Sequence, residues 1–291
     1  MFSDEKMLLD IRLNVLNDYV DEFIIVESKY KHNGDLKEKF FDLSHYSKFK
    51  NKIRYIYLNN EPDNIIQING NLSEEQKNKI LLHNTYLREN YQRDMIARGI
   101  ENANPNDFII VGDIDEIPNL NDFDFKKNRN KLIIFRQKMF YYKLNLFYKE
   151  LVWTGSRACL KKNLKSPQWL RNVKSKKYPF WRLDTIFSKN KYNNIMFVNE
   201  GGWHFTNMKT PEEIFSKFNS FLHNIDFKLS GLNLNDIKEM VSKKKIGYDH
   251  FADQRKVDRW NSQITLKPVD ISLLPKYISE NKEKFKEWLE I

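Results

Sequence analysis

The stretch Asp107-Phe108-Ile109-Ile110-Val111-Gly112-Asp113-Ile114-Asp115-Glu116-Ile117-Pro118 decides the fold class. Phe108, Ile109, Ile110 and Val111, three of them β-branched, predict a short buried strand. Gly112 lets the backbone turn, and Asp113, Asp115 and Glu116 crowd the exit. Pro118 has no N–H and ends any regular ladder. In an extended backbone Asp113 and Asp115 point to the same side. Two carboxylates that close repel each other unless a cation sits between them. A hard divalent ion with oxygen ligands, Mg²⁺ or Mn²⁺, is the natural one. Open α/β sheets collect ligands at the carboxyl ends of their strands, where this cluster falls. The plain alternative is an acidic turn after a core strand. The hydrophobic strand before it and Glu-Ile-Pro after it favour a metal and phosphate site.

Upstream, Leu8, Leu9, Ile11, Leu13, Leu16 and Val20 recur near helical spacing and predict a helix over residues 4–19. Phe23-Ile24-Ile25-Val26 follows as a continuous apolar strand of the parallel type, closed by Glu27-Ser28. A second strand is expected over Ile53-Arg54-Tyr55-Ile56-Tyr57-Leu58 and a long helix over 74–98, with Ile80, Leu81, Leu87, Tyr91, Met95 and Ile96 as its buried face. The order helix, strand, strand, helix, strand is that of an α/β half with a ligand edge at Glu27 and Asp113.

Downstream the texture changes. Leu132-Ile133-Ile134-Phe135 and residues 138–144 read as aromatic-rich strands, which could pair as a hairpin, and Trp153-Thr154-Gly155-Ser156-Arg157 as a compact polar turn. Ile195-Met196-Phe197-Val198 is another strand, followed by Gly201-Gly202-Trp203-His204. Thr210-Pro211-Glu212-Glu213 starts a helix, with Thr as cap and Pro in the first position, running through Lys217, Phe218 and Phe221 towards His223. With no repeat and no clean linker, the expectation is one domain over 1–291. Its parts would be a nucleotide-binding half (1–118), an acceptor half (119–250) and a C-terminal helical extension (251–291).

Composition narrows the class. The 291 residues can bury a full core, and nothing in them suggests disorder. Forty-nine Lys and Arg against 39 Asp and Glu give a formal charge of +10, which suits an acidic ligand, a nucleic acid or an anionic membrane. The excess lies in short runs such as Lys174, Lys176 and Lys177, without the aromatic-interleaved stripe of RNA binders. Cys159 is the only cysteine, so no intrachain disulfide forms, and its apolar neighbours make it a core thiol. No signal-like leader and no run of 18 apolar residues occurs. These features predict a cytoplasmic protein with no transmembrane segment and at most a peripheral membrane contact.

Beyond the acidic stretch, a His after a buried strand, as at His204, can complete an oxygen-rich metal site, although a lone His is commonly structural. Lys217 could neutralise a diphosphate. Arg88-Glu89 and Arg93-Asp94 have exposed ion pairing as their simplest role, with contact to a nucleotide cleft as the alternative.

Taken in order, Leu9-Asp10-Ile11-Arg12-Leu13, residues 20–28 ending in Val-Glu-Ser, Arg93-Asp94, the Asp-x-Asp-Glu-Ile-Pro of 113–118, Gly202-Trp203-His204 and Lys217 resemble glycosyltransferase family 17 over roughly residues 8–250. The resemblance implies a GT-A-like fold, a mostly parallel, Rossmann-like sheet flanked by helices with an aromatic-rich acceptor half. It implies inverting transfer of a sugar, N-acetylglucosamine, from a UDP donor to a glycan hydroxyl. By the same resemblance Asp113 and Asp115 would hold Mn²⁺ or Mg²⁺, with His204 as a third ligand. Lys217 would face the diphosphate, and Glu27, Arg93 and Asp94 would lie around uridine. Asp226, Asp184 and Glu200 are the candidates for the base that takes the acceptor proton. Tyr141, Tyr142, Trp153, Trp181 and Trp203 could stack on sugar rings. The family's Golgi members carry a membrane anchor, whereas a chain opening directly on the catalytic core predicts a bacterial or viral cytoplasmic enzyme. A nucleotide sugar and a glycan are then the partners, and nucleic acid is not.

Two other readings compete. A phosphohydrolase would use the first Asp of the pair as nucleophile, but its motif usually lies near the N-terminus. A basic nucleic-acid-binding protein would explain the +10 charge and would lose oligonucleotides steeply with salt.

Overall fold

The computed structural model describes residues 1–290 apart from 129–130, 221–223, 253–257, 261 and 263. The expected approach of a helix through Phe221 to His223 therefore lies outside the described residues. The chain opens with α1 (Lys6–Leu16), β1 (Phe23–Ser28) and β2 (Ile53–Leu58), then α2 (Glu74–Asp94) and α3 (Ile96–Gly99). Strands β3 (Phe108–Val111) and β4 (Glu116–Pro118) flank the acidic stretch. They are followed by β5 (Leu132–Phe135), β6 (Gln137–Tyr141), β7 (Leu146–Trp153), β8 (Arg157–Leu160) and α4 (Pro167–Asn172). The order continues α5 (Asp184–Phe187), β9 (Ile195–Val198), β10 (Gly202–Thr206), α6 (Pro211–Ser220), α7 (Asn224–Ser230) and α8 (Leu234–Ser242). Short strands β11 (Lys245–Ile246), β12 (Ile264–Thr265) and β13 (Lys267–Pro268) precede α9 (Lys276–Glu280).

Among the described residues the strands form four hydrogen-bonded sheets, ordered β1-β2, β3-β8-β5-β9, β13-β7-β6-β10-β4 and β11-β12. Among the described strands, β1–β2, β5–β9 and β6–β10 pair in parallel and the other pairs are antiparallel. The expectation of a mostly parallel sheet is corrected to a mixed α/β arrangement dominated by antiparallel pairs. For β6 and β7 the cause is a short connection, which cannot hold the crossover that parallel neighbours need. Leu132–Phe135 and the next strand are likewise not hairpin partners, because β5 pairs with β8 and β9 while β6 pairs with β7 and β10.

Local expectations held where an apolar core enforced them. Leu8, Leu9, Ile11, Leu13 and Leu16 bury one side of α1. They join a core that runs through Ile117, Phe135, Phe140 and Phe205 to Ile278 and Phe285. Burying one such side chain contributes about 1.5–3 kcal/mol. The long helix differs from expectation. It breaks at Met95, and its buried residues are Asn84, Thr85, Gln92 and Arg93, while Leu81 and Leu82 are exposed. Polar side chains are tolerated there because each finds a partner, such as Gln92 to the Val26 carbonyl at 3.0 Å. Residues 264–290 hold two short strands as well as helical turns, with β13 added to the edge of the five-stranded sheet. No helix among the described residues is long and apolar enough to cross a membrane.

Candidate active site

Residues 112–115 are not an extended strand. β3 ends at Val111, and the chain turns, with the Glu116 N–H donating to the Asp113 carbonyl at 3.1 Å. Arg12 reaches up from α1 and donates to the carbonyls of Asp113 (3.0 Å) and Glu116 (2.5 Å), so the turn is clamped from below. The carboxylates therefore do not line one side of a strand. Each has its own set of partners.

Glu116 is 1% exposed and its carboxylate accepts from four donors. These are Arg171 through two nitrogens (2.8 and 2.5 Å), the Trp153 indole (2.6 Å) and the Asp113 N–H (2.9 Å). Gly155 makes this packing feasible, since a Cβ there would lie 2.0 Å from Glu116 Oε1. Asp113 faces Arg93 at 3.3 Å and Arg171 at 3.2 Å. Burial would raise its carboxyl, but the Arg93 and Arg171 guanidiniums outweigh that and hold it well below the usual carboxylate range. The same pairing pushes both arginines further towards their charged forms against the opposing effect of burial.

Asp115 is different. Its Oδ2 lies 3.4 Å from His204 Nε2, while His204 Nδ1 is buried with no hydrogen-bond partner among the described residues. Burial raises the Asp115 carboxyl, and His204 and then Lys217 pull it below its ordinary value. The two glycines before His204 explain its arrival. Gly202 has φ +125°, and a Cβ on it would meet the Ile117 carbonyl at 2.1 Å. With glycine there, β10 pairs antiparallel with β4 and sets His204 opposite Glu116. Trp153 stacks on the His204 ring with centroids 4.6 Å apart. Donor oxygens and nitrogens of Asp115, Glu116 and His204 lie within 4.8 Å of one another. Glu116 is already fully engaged, so the pair able to take a cation is Asp115 and His204.

A cavity of about 470 Å³ opens over this group. Tyr30 and His32 from the loop after β1, Gln92 from α2, Lys209, and Lys217 from α6 line it with Asp113, Asp115 and His204. Lys217 donates to Asn207 Oδ1 at 2.9 Å. The α6 start is as read from sequence: Thr210 and Glu213 cap each other reciprocally before Pro211.

Other expected site residues fall elsewhere. Glu27 is fully buried and accepts from Lys37 (2.7 Å), Tyr55 (2.8 Å) and the Phe40 and Phe41 N–H groups (2.8 and 3.1 Å). It organises the loop after β1 and does not line the cavity. Arg93 is 3% exposed and reaches Asp113, so the exposed ion pair predicted for it is replaced by a buried one. Asp94 accepts from the Gln168 N–H at 2.8 Å, at the start of α4. Of the base candidates, Asp184 pairs with Arg182 and Lys191, Glu200 with Lys138, and Asp226 with Arg259. The structure brings none of the three to the cavity wall. Trp153 lines the cavity, Tyr141 and Tyr142 are buried, Trp181 is exposed, and Trp203 donates to the Leu273 carbonyl. Sequence reasoning missed Arg171, which sits on a helix of six residues with no motif. Arg157 holds that helix by donating to the Leu170, Arg171 and Val173 carbonyls.

The sequence model of glycosyltransferase family 17 matches residues 1–290. The chain belongs to glycosyltransferase family 17. This family 17 chain is 24% identical over 312 aligned residues to the β-1,4-mannosyl-glycoprotein 4-β-N-acetylglucosaminyltransferase of Rattus norvegicus, covering 99% of the chain and 53% of the relative. The protein of the same name from Mus musculus gives the same figures. The one from Homo sapiens is 30% identical over 120 residues, 40% of this chain and 20% of the relative. The chain thus spans about half the length of the rat and mouse relatives. No solved structure matches it.

Proposed function

We propose that this family 17 chain transfers a sugar, N-acetylglucosamine, from a UDP donor to a glycan hydroxyl with inversion, assisted by Mn²⁺ or Mg²⁺. The observation that carries the reading is the Asp115–His204 pair at the cavity wall, with the second His204 nitrogen buried and unpartnered. A carboxylate oxygen and a neutral imidazole suit such an ion. Asp115 and His204 would hold it, and when bound it neutralises charge developing on the departing diphosphate. Asp113 is assigned a different part, because its oxygens already face two guanidiniums. It fixes Arg93 and Arg171 against the turn and keeps Asp115 oriented.

Lys217 and Lys209, the latter paired with Asp4 at 2.5 Å, line the cavity and are the cations we assign to the diphosphate. Tyr30, His32 and Gln92 form the wall we assign to the nucleoside, in place of Glu27, Arg93 and Asp94, which do not line the cavity. Trp153, stacked on His204, lines the cavity and is the aromatic surface we assign to the sugar. The competing readings gain no support. A phosphohydrolase needs Asp113 as an open nucleophile, and its carboxylate sits in a double ion pair.

The test is thermal stabilisation by a nucleotide and nucleotide-sugar panel with and without Mn²⁺, since selective binding to the folded state raises Tm by mass action. A Mn²⁺-dependent rise with UDP or UDP-N-acetylglucosamine is expected. No rise with any nucleotide would reduce Asp115 and His204 to a structural pair.

A further inference from the structure

We propose that residues 174–191 form a docking surface for an anionic lipid bilayer. Within this stretch Phe180, Trp181, Leu183 and Phe187 are exposed at 85, 67, 70 and 87%. Four large apolar side chains this open within one short stretch, with the Phe180 and Trp181 rings edge-on at 5.1 Å, mark an interaction site, whereas single ones need no explanation. The same stretch holds six basic residues, Lys174, Lys176, Lys177, Arg182, Lys189 and Lys191, against one acidic residue, Asp184. Asp184 is paired with Arg182 (2.6 Å) and Lys191 (2.9 Å) and cancels one of the six positive charges, so the stretch keeps a net excess of five.

The base of the segment is firmly held. The Lys174 N–H donates to the Asn190 carbonyl at 2.7 Å, closing the two ends on each other. Ser175 bonds the Thr154 hydroxyl (2.9 Å) and receives Arg157 (3.1 Å), and Trp169 donates to the Lys189 carbonyl (2.9 Å). A tied base with bulky tips pointing outward is a protrusion, and none of these tips lines the cavity. Protein partners prefer anchors set in packed patches, while a bilayer interface accepts projecting aromatics flanked by Lys and Arg. Lysine stems can lie along the acyl boundary with their ammonium groups among lipid phosphates. The complementary surface is therefore an anionic headgroup layer.

The placement is also informative. Arg171, which grips Asp113 and Glu116, is only three residues before Lys174. Docking through 174–191 would hold the cavity close to the lipid surface, where a lipid-linked glycan acceptor is presented; this last clause alone rests on the proposed transfer.

The experiment is co-sedimentation of the full chain with vesicles of phosphatidylcholine alone or of equal parts phosphatidylcholine and phosphatidylglycerol. The expected result is partition onto the mixed vesicles only. The combined variant Phe180→Ser, Trp181→Ser, Phe187→Ser should weaken that partition about tenfold or more at unchanged Tm. Reversal of Lys174, Lys176 and Lys177 to Glu should also weaken it, giving a second reading if the aromatic variant is unstable. No partition onto anionic vesicles, equal partition onto neutral ones, or partition indifferent to both variants would overturn the proposal. A wild-type dimer that the aromatic variant turns into a monomer, without vesicle binding, would overturn it in favour of a second copy as occupant.

Discussion

Two acidic groups stand at strand ends in this molecule, and they are satisfied in opposite ways. Glu27, at the end of β1, is enclosed by neighbours from its own half, two of them backbone N–H groups of the adjoining loop. The acidic turn after β3 draws its partners from far along the chain: Arg12 on α1, Arg93 on α2, Trp153 on β7 and Arg171 on α4. Glu27 is closed, whereas the turn leaves Asp115 facing His204 and a cavity. A buried carboxylate with all its acceptor capacity engaged organises structure. The one left with a half-satisfied histidine beside a cavity is the one we propose for chemistry.

The largest effect that would break this contrast concerns Asp115. Asp115→Ala should lower sugar transfer about 10³-fold or more while Tm stays near that of the parent, and the Mn²⁺-dependent rise in Tm should vanish. Transfer close to normal would place Asp115 with Glu27 among the structural acids. Next comes Glu116→Gln, which leaves Arg171 short of its buried counter-charge and should cost about 3–5 kcal/mol in denaturant unfolding. A loss well under that would mean the Arg171 pair contributes little and the turn is held by Arg12, Arg93 and Trp153.

A comparable loss, about 3–5 kcal/mol, is expected for Glu27→Gln, because it leaves the buried Lys37 ammonium without its counter-charge. Stabilisation by a nucleotide sugar should survive in that variant; its disappearance would move Glu27 into the donor site. The smallest effect is on the acid limb of stability. The Asp113 carboxyl is held below its ordinary value of about 3.9, so its contribution is present above that pH and fades as pH falls towards the depressed native value. Asp113→Asn should flatten the decline of Tm below about pH 4. An unchanged acid limb would show that Arg93 and Arg171 do not set its protonation.

The strands β1 and β5 are legible because continuous, largely β-branched apolar runs fit a buried ladder. The start of α6 was legible because a Thr-Pro-x-Glu cap is satisfied within four residues. The break at Met95 and the polar buried face of α2 were not, since Arg93 and Gln92 look like solvated positions until Asp113 and Val26 arrive opposite them. The three candidate bases failed to reach the cavity for a related reason. A carboxylate's position along the chain says nothing of which lysine or arginine will meet it.

The sequence by itself determined the α/β class, the acidic cluster after a core strand, the Gly-Gly-Trp-His motif and the resemblance to family 17, because each is written in contiguous residues whose chemistry is local. Tertiary structure alone decided which carboxylate keeps an open side. Arg171 and Trp153 lie 55 and 37 residues from Glu116, and their claim on it exists only once α4 and β7 have packed against the turn. Charge compensation acts across a few ångströms of space and takes no account of distance along the chain, so it is settled last, by the fold.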